Sequence, residues 1–316
     1  MDWSNGVNDG LILTRAIHFA ATAITTGALI FRIAVEKPAL RLARADTIVR
    51  TDTLRVVWIG LGTATVSGVI WFLVQAAAMS GLSFQEMIAG DLLSKILKDT
   101  QFGFVAEIRL ALAILLAAFL AYDEVEQTRW PALVSALGLT GAIAWVGHGG
   151  STMGPSGWSH LVADVLHLIA AAAWIGGLVA LALLLTNRPR NYDKVQRQFV
   201  CYAVQRFSSL GMLSVGCLLL TGIVNTWTLV GSINALISTE YGRLLMIKIM
   251  LFVIMIGFAI VNRLRLTPQL AVPQGREQHL FAKHQLTRNS MIEIGLGLTI
   301  FAIVGALGTL HPAIHV

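Results

Sequence analysis

The stretch HLVADVLHLIAAAAWIGGLVALALLLT, residues 160–186, decides the fold class. From Val165 to Thr186 it carries no acidic or cationic side chain. A run of roughly 20 apolar residues is what an α-helix needs to cross the ~30 Å hydrocarbon core of a bilayer. A helix that is apolar all round leaves no face for water. The rest of the chain has the same character: 56% of its 316 residues are hydrophobic, only 13% are charged, and mean hydropathy is +0.72. Soluble domains average about a quarter charged residues, so a water-facing globular surface is excluded.

Comparable runs lie at 11–34, 54–79, 104–122, 131–148, 207–231, 241–262 and 290–310. Together with 160–186 they predict an all-α integral membrane protein of eight transmembrane helices. Residues 83–98 read differently: Leu92, Leu93, Ile96 and Leu97 alternate with Glu86, Asp91, Lys95 and Lys98, the pattern of a short amphipathic helix at the membrane surface.

The formal net charge is +6, but the basic residues do not form a patch. Lys37, Arg41, Arg44 and Arg50 follow the first run, and Arg129 follows the third. Arg188, Arg190, Lys194, Arg197 and Arg206 follow the fifth; Arg263, Arg265, Arg276, Lys283 and Arg288 follow the seventh. The alternate connections hold little beyond Lys95 and Lys98. This asymmetry places the basic loops in the cytoplasm and both termini outside, on a multi-pass protein. It also excludes a nucleic-acid footprint, which needs a basic face with interleaved aromatics. Met1 to Gly10 has no basic n-region and does not read as a cleavable signal peptide. Cys201 and Cys217 lie about 24 Å apart along one helical run, too far for a disulfide.

The two halves repeat each other. His18 precedes Gly27-Ala28-Leu29 by the interval at which His167 precedes Gly176-Gly177-Leu178. Ser67-Gly68-Val69 matches Thr221-Gly222-Ile223, and Phe102-Gly103 with Arg109 matches Tyr241-Gly242 with Lys248. His148 ends the fourth run and His311 the eighth. Four crossings per half return the chain to its starting side, so the expected arrangement is two parallel four-helix repeats. The first half would take residues 1–130 and 131–150, the second 151–316.

Histidines carry the functional signal. His279 and His284 are expected in a cytoplasmic loop, whereas His18, His148, His160, His167, His311 and His315 all fall toward the outer side. His160, Asp164 and His167 have the i, i+4, i+7 spacing of one helix face. Met153, in the Gly-rich segment after His148, adds a thioether. Imidazole suits copper, zinc, iron and nickel; thioether tilts the choice toward copper(I), and carboxylate toward copper(II). His148, His160, Asp164, His167 and His311 are the first-choice ligands, with His18, Met153 and His315 behind them. An ionisable group within a span is costly and functional by default. Two other uses of these residues stand open. Haem b could be held by His18 with His148 and His167 with His311 in an electron-transfer protein, and a purely structural subunit would use the histidines as helix bridges. Arg109 and Lys248 are intramembrane cations that either snorkel or find an anion, and an Arg15–Asp164 ion pair across the repeat is conceivable. Met212, Cys217, Met246, Met250 and Met255 are possible soft ligands of an inward path.

Several of these motifs resemble the copper resistance protein CopD family. They are Gly147-His148, Asp164-Val-Leu-His167 with Trp174-Ile-Gly-Gly-Leu178, Arg206-Phe-Ser208, Thr221-Gly222, Tyr241-Gly-Arg-Leu-Leu245 with Lys248, and Asn262-Arg263. The resemblance spans the chain and is densest over about 147–268. It implies a non-enzymatic protein that takes copper from the periplasm and passes it toward the cytoplasm. It also implies a separate periplasmic CopC-type protein as donor, with no such domain fused here, and a cytoplasmic copper chaperone as a possible acceptor. No phosphate-loop motif is present, so the chain itself does not use ATP.

The charge asymmetry is directly testable. Alkaline phosphatase fused after Val316 is expected to be active, and a cytoplasmic reporter at the same point silent. The reverse result would overturn the orientation.

Overall fold

The computed structural model describes residues 3–44, 52–81, 85–86, 90–147, 155–187, 194–271 and 276–315. Among them there are helices and turns and no strands. With no water in the bilayer core, a helix satisfies its own backbone polar groups. The helices are α1 (Trp3–Phe31), α2 (Thr53–Ser80), α3 (Leu92–Asp99), α4 (Gln101–Ala121), α5 (Arg129–Gly141), α6 (Pro155–Thr186), α7 (Lys194–Val230), α8 (Ile233–Ser238), α9 (Glu240–Val261) and α10 (Arg276–Leu307). A π turn at Arg32–Glu36 carries α1 on into Lys37–Ala43, and another at Asn262–Leu266 extends α9 into Thr267–Ala271.

Among the described residues seven helices are long and apolar enough to cross a membrane, so the chain is a multi-pass membrane protein. The fourth expected run is the one that falls short. Its α-helix stops at Gly141 after 13 residues and tightens into a 3-10 turn at Ala142–Trp145. Other helices outrun the apolar stretches that announced them. α7 begins at Lys194 and α10 at Arg276, which puts His279 and His284 on a helix rather than in a loop. Hydropathy marks where a helix enters hydrocarbon, not where it ends. Of the expected surface helix 83–98, the described part is α3; its only buried residue is Ile96.

α1 and α6 form the centre of the bundle. They touch backbone to backbone: a Cβ on Gly27 would strike the Ala172 carbonyl and Gly176 Cα, and one on Gly176 would strike Ala23 O and Gly27 Cα. Close approach at small residues is how helices gain packing energy in lipid, where no hydrophobic force drives them together. α2 and α10 pack on α1, while α7 and α10 pack on α6. The helices entering α4 and α9 are built alike. α2 ends at Gly81 and α7 at Gly231, both left-handed (φ 66° and 70°), where a residue with Cβ would be strained. The short α3 and α8 follow. Thr100 and Thr239 then cap α4 and α9, accepting from Gly103 N and Gly242 N at 3.0 Å each.

Charged contacts tie the opposite end. Arg32 grips Asp123 with two parallel hydrogen bonds, Thr53 donates to Glu36, and Arg206 Nε donates to Ala34 O at 3.0 Å. Burial alone would raise the Asp123 carboxyl, but the Arg32 guanidinium holds it below its ordinary value. That contribution to stability is therefore present above the unfolded carboxylate pKa of about 3.9 and is lost as pH falls further.

The glycine contact predicts a selective cost. Gly27→Ala, whose methyl meets unyielding backbone, should lower the melting temperature in detergent, consistent with an overpacking cost of about 1–3 kcal/mol. Gly62→Ala enters open space and should not. Equal melting temperatures for the two variants would contradict the packing.

Candidate metal centre

Each central helix carries a histidine nine residues before its contact glycine, and that histidine meets the neighbouring helix through a hydroxyl. On α1, His18 is 3% exposed. Its Nδ1 donates to Ala64 O at 2.9 Å and lies 3.2 Å from Ser67 Oγ on α2. Gly68 makes room for the ring, since a Cβ there would sit 3.0 Å from His18 Cε1. With Nδ1–H spent on a carbonyl, the lone pair is on Nε2, and there it accepts from the Arg109 guanidinium of α4.

On α6, His167 Nδ1 lies 2.9 Å from Thr221 Oγ1 on α7. Thr221 spends its own proton on Cys217 O at 2.6 Å, so it accepts from His167. The lone pair is again on Nε2, but among the described residues no group donates to it. This is the arrangement of a metal-ligating imidazole, with one nitrogen fixed by a hydrogen bond and the other presented.

Asp164, one turn before His167, accepts from Asn225 Nδ2 at 3.2 Å. Asn225 Oδ1 is buried without a partner among the described residues, leaving an oxygen donor beside the carboxylate. Lys248 of α9 lies within electrostatic reach of Asp164 and His167. It makes no hydrogen bond to either among the described residues. His160 lies two turns before His167 on the same continuous helix and is 1% exposed.

Other expectations fare differently. His148 and Met153 lie outside the described residues. His311 is exposed beyond the end of α10, and His315 closes a 3-10 turn at Ala313–His315. Among the described residues no three His, Cys, Asp or Glu side chains converge as a metal-holding group. The conceivable Arg15–Asp164 pair does not form. Arg15 instead donates to Gly308 O at 2.9 Å and lies over the rings of Phe19 and Trp71, a face of α1 turned away from Asp164. Arg109 does not snorkel; its guanidinium turns inward over Trp71. A haem ligand at His18 would find Nε2 already taken. The soft-ligand series does not line up either, with Met255 buried while Met212 and Met250 are exposed. Cys201 and Cys217 are both free.

Sequence reasoning missed Asn225 and the hydroxyl anchors. Ser67 and Thr221 were visible as a matched pair, but which way they face depends on helix rotation. Asn225 follows Thr221 by one turn in an apolar run, and that spacing was the available signal.

Comparison with known proteins finds family matches toward both ends of the chain. The family profile described as Copper resistance protein D-like, N-terminal domain, matches residues 6–158, and that of Copper resistance protein D matches 202–307. Copper resistance protein D of Pseudomonas syringae pv. tomato is 30% identical over 248 residues, covering 77% of this chain and 79% of that protein. Copper transport protein CutJ of Bacillus subtilis (strain 168) is 27% identical over 82% of this chain and 47% of its own length. Inner membrane protein YebZ of Escherichia coli (strain K12) is 27% identical over 95% of this chain and 98% of its own.

Proposed function

Because the chain belongs to the copper resistance protein D family, we propose that it takes copper at the histidine-bearing end of its bundle and passes it toward the basic-loop end. That is transport from periplasm to cytoplasm across the inner membrane, without catalysis. The observation that carries the reading is the unbonded Nε2 of His167, whose ring Thr221 anchors, near Asp164 and the orphaned Asn225 Oδ1. Imidazole and carboxylate are a copper-binding pair. His160 on the same helix, and His148, Met153, His311 and His315 from the adjoining connections, complete the proposed set.

Lys248 fits this reading as a mobile counter-charge. It balances Asp164 while copper is absent and, lacking a hydrogen bond, can swing away when copper arrives. In the first half Arg109 is bonded to the lone pair that copper would need. His18 is therefore the weaker ligand, and the first half serves as a scaffold. Copper would come from a separate CopC-type protein outside and leave to a chaperone inside.

The eight-span reading as two parallel repeats, 1–150 and 151–316, belongs with this proposal. It is supported by the matched histidine–hydroxyl pairs, the left-handed glycines, and the threonine caps of α4 and α9. Length supports it too: α5 with its 3-10 continuation runs roughly 28 Å, near the thickness of the hydrocarbon core.

Copper bound per purified protein and cellular copper accumulation test the site. His167→Ala and Asp164→Ala should lose both, His315→Ala should lose less than His167→Ala, and His18→Ala should stay near the parent. Binding should weaken on acidification, because only neutral imidazole ligates. A His167→Ala variant that binds copper like the parent would sink the proposal.

A further inference from the structure

A second polar cluster lies toward the other end of the second half, and copper binding at His167 makes no use of it. A cavity of about 160 Å³ opens between α6, α7, α9 and α10, beginning at Trp174. That residue is seven positions past His167 on α6, about 10 Å along the helix axis. Its walls are mainly apolar, yet Ser208, Asn262, Arg263, Ser290 and Glu293 face into it.

Glu293 is 1% exposed. Asn262 Nδ2 donates to its Oε1 at 2.7 Å, and Trp174 lines the same cavity. Asn289 Nδ2 fixes the Asn262 amide by donating to its Oδ1 at 2.8 Å. Among the described residues Glu293 has no ion pair. Arg263 is the charged neighbour on the cavity wall, and its guanidinium is spent on Ser208 O and Oγ at 3.2 and 2.9 Å. The cavity wall that Glu293 shares carries Trp174, Ser208, Asn262, Arg263 and Thr267 from the packed helices and Ser290 from its own.

Ser290 supplies the independent observation. It is 0% exposed and its Oγ has no partner among the described residues. Ser67, Ser135 and Ser214, also within helices, each donate to the carbonyl four residues back. Ser290 does not take that bond, so its hydroxyl is left for an occupant of the cavity. A water needs only ~10–15 Å³ of such space, so the cavity has room for several.

We propose that Glu293 is a proton-exchange site served by water in this cavity: the carboxylate takes up H⁺ to become the carboxylic acid and returns it by the same route. Ser290 relays the proton, and Asn262 steadies the anion. Low dielectric opposes a lone carboxylate, whereas the hydrogen bond donated by Asn262 favours it, so the surroundings accommodate both charge states. The facing donors are hard oxygens, which suit a proton better than copper(I). An intramembrane carboxyl of this kind is where proton relays are built.

Infrared difference spectra between acid and alkaline pH test this on purified protein in lipid nanodiscs without copper. The readout is therefore independent of the copper reading. The parent should show a titrating buried carboxylic C=O band that Glu293→Gln removes and Ser290→Ala shifts. Persistence of the band in Glu293→Gln, or an unshifted band in Ser290→Ala, would overturn the assignment. So would loss of the parent's band on adding Na⁺, which would identify a metal cation as the occupant.

Discussion

The backbone contact between Gly27 and Gly176 sets where everything else can sit. In lipid the two central helices gain nothing from hydrophobic burial, so their association depends on how closely the chains approach. Any side chain at either glycine would enter the backbone of the other helix. Because His18 and His167 each lie nine residues before their glycine, fixing that crossing places both rings about 13 Å along the helices from it. The rings then turn outward from the central pair, one to Ser67 and the other to Thr221.

One frame therefore presents two imidazoles in similar settings with different neighbours. Arginine and lysine are not interchangeable here. The planar guanidinium of Arg109 donates to Nε2 of His18 and lies over Trp71, a fixed arrangement that closes the lone pair. Lysine is a point charge on a flexible stem, and Lys248 influences Asp164 and His167 without bonding to them. On the proposed repeat, a bonded cation in one half and an unbonded one in the other would keep one site structural and leave the other free to take cargo.

Much of this was legible in the sequence. Apolar runs located seven helices long enough to span, and the i, i+4, i+7 spacing put His160, Asp164 and His167 on one face of α6. What stayed hidden depended on rotation about helix axes. α2 and α7 are apolar on nearly every side, so no amphipathic stripe says that Ser67 and Thr221 point at histidines. Arg15 chose Gly308 O and Trp71 over Asp164 for the same reason: its facing partner is set by packing, not spacing. The length of α10 was hidden because its polar first turns, with His279 and His284, look like a loop to a hydropathy argument. Glu293 was the plainest missed signal, a carboxylate inside an apolar run.

The account stands on His167 as a copper ligand whose counterpart His18 is closed. X-ray absorption at the copper edge of the loaded protein reads this directly. Imidazole scattering should be present in the parent, unchanged in His18→Ala, and diminished with altered coordination in His167→Ala. An identical imidazole signal in parent and His167→Ala would contradict it.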